Sequence, residues 1–165
     1  MNELIPLRGR YTVQWETLDD IVDTQLVTLL VENYAEIETD QDVIPLDPDM
    51  SRAYALEEMG VLRIMTLRWR GVIVGYNAFH VTPHMHSRAI SIAVNDVLFV
   101  HPHHRAKGGL LLLRVAERAL KAAGVTRIHY ATKVHAEIGR RGHKTGDLLV
   151  KLGYRHDEES YSKLL

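Results

Sequence analysis

Val100-His101-Pro102-His103-His104-Arg105-Ala106-Lys107-Gly108-Gly109-Leu110-Leu111-Leu112-Leu113 decides how this chain is read. An apolar strand stops at a proline, crosses a basic turn bearing two glycines, and enters a leucine-rich helix. A helix that opens at glycines exposes unpaired backbone N–H groups and carries the positive end of its dipole there. Arg105 and Lys107 add two full charges beside it. That combination suits a pyrophosphate. Glycine at a strand-to-helix turn is also ordinary turn chemistry, so the flanks must decide.

The flanks give an α/β pattern. Gly109–Ala123 predicts a helix with Leu111, Leu112, Val115, Ala116, Ala119 and Leu120 on one face, Arg114, Arg118 and Lys121 on the other, and Gly124 as its stop. Upstream, Leu18 to about Tyr34 has helical spacing, and Ser51–Met59 predicts a second helix ending at Gly60. Val61–Trp69 and Val72–Val81 read as strands around a tight turn at Arg70-Gly71, and Ala89–Val100 as a long third strand. Downstream come a strand at Arg127–Val134, a helix at His143–Leu152 ending at Gly153, and a last strand at Tyr161–Leu165. The predicted order is α-α-β-β-β-α-β-α-β, with three antiparallel strands before a crossover helix and a parallel partner strand after it. No repeat or low-complexity linker divides the 165 residues, and residues 1–165 are read as a single domain.

Composition excludes several classes. Hydrophobic residues make up 46% and charged residues 25%, ordinary for a globular chain. No apolar run reaches the roughly 18–20 residues of a membrane span, and Met1–Pro6 lacks the pattern of a signal peptide. With no cysteine there is no disulfide, thiolate metal site or cysteine nucleophile, which fits a cytoplasmic location. A net charge of −1 argues against nucleic-acid binding. The charge is polarised, however. Between Tyr11 and Ser51 stand eleven acidic residues and no Lys, Arg or His; between His101 and Gly146 stand ten Lys or Arg against Glu117 and Glu137. A solvated acidic helix face explains much of the first segment. The asymmetry also suits an anionic ligand at one end and a cationic one at the other.

Asp96-Val97-Leu98-Phe99-Val100-His101-Pro102 through Gly109 closely resembles the acyl-CoA motif of the GCN5-related N-acetyltransferases, the GNAT superfamily. There a strand ending Val-x-Pro leads into an Arg/Gln-x-x-Gly-x-Gly/Ala turn and a helix; Arg105 takes the first position and Gly108 the fourth. Leu148-Leu149-Val150-Lys151-Leu152-Gly153-Tyr154 resembles the family's closing helix. The resemblance implies a mixed, mostly antiparallel central sheet flanked by helices, and an N-acetyltransferase that moves an acetyl group from acetyl-CoA to a primary amine by direct attack. It implies that the backbone of Leu98, Phe99 and Val100 pairs with the pantetheine arm where the sheet splays. It also implies that N–H groups of Arg105, Ala106, Lys107, Gly108, Gly109 and Leu110 take the pyrophosphate. Two positions depart from the pattern: Leu110 stands where the family has Gly or Ala, and Leu149 where a proton-donating tyrosine is frequent.

Transfer to an amine that is mostly ammonium at neutral pH needs a proton acceptor. Asp96, expected on the strand face of Val94 and Leu98, is the first candidate base, with His80 second and His129 and Tyr130 behind them. An Asp held by backbone bonds or a salt bridge is the plain alternative for Asp96. His84-x-His86 and His101-x-His103-His104 have chelate spacing, but no local carboxylate or cysteine completes either set, so exposed turn histidines are expected and no metal. The acceptor amine is not chosen by any motif, and a homodimer is left open. Leu110 and Leu149 also leave open a second reading, a catalytically weak or inactive acyl-CoA-binding or protein-interaction module of the same fold.

Overall fold

The computed structural model describes residues 11–22, 26–133 and 145–165. They fall into two compact units, one ending at Ala131 and one beginning at Thr132.

The first unit is built on a five-stranded sheet: β1 (Tyr11–Glu16), β2 (Leu62–Trp69), β3 (Val72–His84), β4 (Ser87–Val100) and β5 (Arg127–His129), in spatial order β1-β2-β3-β4-β5. The first four pair antiparallel and β5 joins β4 parallel. Four strands therefore precede the crossover, not three. Strand β1 was not expected, yet its reason is simple. Tyr11, Val13 and Trp15 pack into one core while Thr12, Gln14 and Glu16 alternate with them. The predicted strand at Tyr161–Leu165 is not formed, and residues 154–165 contain no helix or strand. Tyr161, Leu164 and Leu165 are exposed, so nothing buries the apolar side chains that suggested it.

The expected long first helix is two: α1 (Leu18–Ile21), opened by a Thr17/Asp20 capping box, and α2 (Leu26–Ile37). Helix α3 (Met50–Glu58) starts at Asp49, whose carboxylate accepts from the Arg52 N–H. The β2–β3 turn places Arg70 and Gly71 at φ 51° and 88°, the left-handed pair that matches strand twist. Helix α4 (Leu110–Ala122) buries Leu112, Leu113, Val115, Ala116 and Leu120.

The sheet carries a core on each face. One joins Val13, Met65, Leu67, Phe79, Ala93 and Val100 to the buried face of α4. The other joins Ile64, Ile73, Tyr76, Ala78 and Phe99 to Leu18, Ile21 and Leu29 of α1 and α2. Near the middle of β4 the ladder slips: Ala78 faces Val97, Phe79 faces Asn95, and Asp96 is the extra residue of a β-bulge. The bulge reverses the alternation. Ala93 points to the α4 core before it, and Leu98 and Val100 do so after it.

In the second unit α5 (Thr145–Lys151) buries Leu149 and ends at Gly153, φ 95°. No helix among the described residues is long and apolar enough to cross a membrane.

Candidate active site

Strand β5 pairs with β4 for three residues only, Ile92 with Arg127, Ala93 with Ile128 and Val94 with His129. From Asn95 to Val100 the β4 edge away from β3 has no strand partner among the described residues. That edge carries main-chain N–H and C=O groups and leads straight into the basic turn. Leu98, Phe99 and Val100 lie on this stretch. The Phe99 side chain is buried in the α2-side core, and the Val100 carbonyl accepts from Arg105 Nε at 2.8 Å.

The turn itself is a short 3₁₀ segment (Pro102–His104) followed by a π-turn (Arg105–Gly109), so the chain widens before α4 begins at Leu110. The glycines do different work. Gly108 is buried, and a Cβ there would stand 2.6 Å from Cδ2 of the fully buried Leu67, which would have to shift. This glycine lets the turn seat on the sheet. Gly109 has open space where its side chain would be. Arg105 does not project freely: its guanidinium bonds to Glu36 on α2 and lies 5.7 Å from the Phe99 ring centre. Ala106 and Lys107 are exposed, and Lys107 has no ion pair among the described residues.

Beside the turn, the Tyr11 hydroxyl bonds to His104 Nδ1 at 2.8 Å, and Trp69 stacks against both rings, 4.4 Å from Tyr11 and 5.8 Å from His104. Burial, with His101 and His103 nearby, lowers the His104 pKa. The histidine rings at 101 and 103 stand 5.2 Å apart. At the hairpin tip His86 N–H donates to His84 Nδ1 at 3.2 Å. Among the described residues no group of three His, Asp or Glu could hold a metal ion.

Asp96 is exposed and makes no hydrogen bond or ion pair among the described residues. The bulge separates it from the placement expected: Val94 and Leu98 lie on opposite faces, and Asp96 opens toward the α2 side, near Tyr76. Tyr76 is buried in that core, and burial, followed by the Asp96 charge, raises its phenol well above the usual range, with Asn33 of α2 acting in the opposite sense. His80 stands half-buried on β3 opposite Leu62 and Val94, with no bond to Asp96.

On the α4 side a polar chain crosses the core. Asn95 Nδ2 lies 2.8 Å from Asn77 Oδ1, 3.0 Å from the Ala78 carbonyl and 2.8 Å from the Val97 carbonyl. Asn77 Nδ2 donates to the Tyr130 hydroxyl at 2.9 Å. Burial, with the Glu117 charge nearby, raises the Tyr130 phenol above its ordinary value. Asn33, Tyr76, Asn77 and Asn95 escaped the sequence reading. Their signal was a lone polar residue inside an apolar run, as in Gly75-Tyr76-Asn77-Ala78-Phe79 and Ala93-Val94-Asn95.

Residues 24–143 match the model of the acetyltransferase (GNAT) family. The chain belongs to that family. It is an N-acetyltransferase in fold and lineage, and solved structures agree on the fold. An aminoglycoside acetyltransferase, HMB0005, from an uncultured soil metagenomic sample superposes with a TM-score of 0.70 at 18% identity, covering 94% of this chain and 98% of that one. A ribosomal-protein-alanine N-acetyltransferase from Brucella melitensis biovar Abortus 2308 gives 0.67 at 20%, covering 94% and 99%. Glucosamine-6-phosphate N-acetyltransferase from Arabidopsis thaliana gives 0.65 at 12%, covering 93% and 97%. Comparison with curated protein sequences yields no match.

Proposed function

We propose that residues 1–165 act as one catalytic domain that transfers an acetyl group from acetyl-CoA to a primary amine by direct attack. One observation carries the reading: the edge of β4 at Asn95–Val100, without a strand partner among the described residues, runs without interruption into the glycine-bearing turn at the head of α4. An extended pantetheine arm complements such an edge as an added strand, and the helix head accepts its phosphates. The backbone of Leu98, Phe99 and Val100 lines the arm. The turn from Arg105 to Leu110, with Gly109 as its open position and Lys107 as its exposed cation, faces the phosphates. When bound, acetyl-CoA supplies the thioester whose C–S bond breaks as the C–N bond to the amine forms. Asp96 accepts the proton that the amine sheds, directly or through a water, and the departing thiolate takes one from solvent. A β4 N–H beside the bulge polarises the thioester carbonyl. His80 is the second candidate base.

The acceptor approaches from the α2 side, where Asp96, Tyr76 and Asn33 meet and where the chain from Tyr11 to Ser51 is wholly acidic in its charges. A cationic amine suits that field. The named neighbours act on an aminoglycoside, a ribosomal protein and a sugar phosphate, which marks the breadth of acceptors this fold serves. Free-thiol release from acetyl-CoA across a panel of polyamines, aminoglycosides, amino acids and peptide N-termini tests the reading. Turnover with at least one amine is the expected result. CoA binding without turnover on any amine would instead favour the second reading, a binding module, which the buried apolar Leu149 supports.

A further inference from the structure

A β-bulge creates a problem of its own. The extra residue breaks the ladder and leaves main-chain groups on both strands without their usual partners. Around Asp96 the Ala78 carbonyl on β3 and the Val97 carbonyl on β4 are both met by one side chain, Asn95, which is 8% exposed. Three acceptors surround its Nδ2, the third being Asn77 Oδ1, so the amide has a single satisfactory orientation; turned over, its oxygen would face two carbonyls. Asn77, fully buried, passes the connection on by donating to Tyr130. Tyr130 is the first residue of the chain beyond the paired end of β5. At this point β5 could have continued along β4 and covered that edge. Its next side chain is tied instead to Asn77 on β3, one strand further across the sheet.

We propose that Asn95, Asn77 and Tyr130 form a positioning unit that locks the Asp96 bulge and holds the strands β4 and β5 apart, keeping open the β4 edge that receives the acyl donor. The proposal rests on the acetyl-CoA reading for its ligand, but the clamp itself is a property of the unliganded chain. None of the three residues touches the reacting atoms in this account. They act through the backbone of Val97 and Leu98 and through the course of the chain after His129. Single hydrogen bonds between neutral groups are worth little net stability, so one can be removed without unfolding the protein.

Tyr130→Phe deletes one oxygen and Asn95→Leu deletes the amide at nearly constant volume. Two readouts on the folded variants decide the matter. Calorimetric titration with CoA should show affinity lowered by about three- to tenfold for Tyr130→Phe, the scale of one buried hydrogen bond. The double variant should bind no more weakly than Asn95→Leu alone, because both act through one chain of bonds. Hydrogen exchange without ligand should be faster at the Val97 and Leu98 amides in both variants, with other β3 and β4 amides unchanged. Should Asn95→Leu fail to fold, Tyr130→Phe carries the test through both readouts. Parent-like exchange at Val97 and Leu98 in folded Tyr130→Phe overturns the clamp, and so does parent-like CoA affinity in a variant whose parent binds CoA. A parent chain that does not bind CoA overturns the acetyl-CoA reading instead, and the exchange experiment then still decides the clamp.

Discussion

Gly108 rests on Leu67 so closely that a single added carbon would lie 2.6 Å from Leu67 Cδ2, whereas the adjacent Gly109 faces open space. The two glycines of the turn therefore separate folding from ligand binding. Gly108→Ala should lower stability by about 1–3 kcal/mol through overpacking, seen as a fall in melting temperature. Gly109→Glu keeps helical backbone angles and meets no neighbour, so the protein should fold as the parent does. Its carboxylate would sit at the phosphates. Ligand at 100 times its dissociation constant stabilises by about 2.7 kcal/mol, and that CoA-induced rise in melting temperature should vanish in Gly109→Glu. A retained rise would remove the turn from the binding site.

Asp96 is exposed and has no bond among the described residues, so replacing it should not disturb the fold. Asp96→Asn is expected to melt with the parent and bind CoA equally, with turnover reduced by about 10²–10³-fold. The loss should shrink at high pH, where more of the amine is already neutral. Steady-state rates from pH 6 to 10 check this. Undiminished turnover at neutral pH would transfer the role to His80.

The lowered pKa of His104, caused first by its burial, ties stability to pH. In the unfolded chain a histidine titrates near 6.5. As pH falls below that value the unfolded state takes up a proton that the folded ring resists, so the folded state loses stability from about 6.5 downward through the folded pKa. The neutral ring also keeps Nδ1 available to accept from the Tyr11 hydroxyl. His104→Gln should flatten this part of the stability profile, measured by urea unfolding between pH 5 and 7.5, while stability above pH 7 falls by the lost ring packing on Tyr11 and Trp69.

Leu149 is 6% exposed. Leu149→Tyr adds volume and a hydroxyl at a position already filled, and should cost about 1–3 kcal/mol without raising turnover. A stable variant that turns over faster would show that the side chain reaches the thioester, and that a proton donor is what this chain lacks.

The motif at Val100–Gly109 and the 3.6-residue spacing after it were enough to infer the sheet, the crossover helix and the parallel strand, because those features are written in neighbouring residues. The alternation of Tyr11, Val13 and Trp15 was equally plain and marks β1, but the helical signal beginning at Leu18 overshadowed it. Tyr161–Leu165 has strand-forming residues with nothing to cover them, and composition alone cannot report that. The bulge was illegible for a different reason. One extra residue in an apolar strand leaves no local mark, and the groups that stabilise it, Asn77, Asn95 and Tyr130, are brought together across 18 and 53 positions. The same distance in sequence hid the side-chain partner of Arg105, whose charge was read beside the turn and whose guanidinium bonds to Glu36. His135 and His143, candidate proton donors to the leaving thiolate by their nearness in sequence to Leu149, lie outside the described residues.

That last bond joins partners 69 positions apart, one on the helix that borders the acceptor side and one at the head of the phosphate turn. With the acceptor on the α2 side and the acyl donor at the turn, as proposed above, this bond is a contact the two substrates would share. An acceptor that pulls on α2 strains or relaxes the Arg105 anchor, and whatever factor it imposes on the affinity for the nucleotide must be returned in kind on its own. Salt that screens this ion pair weakens any such coupling.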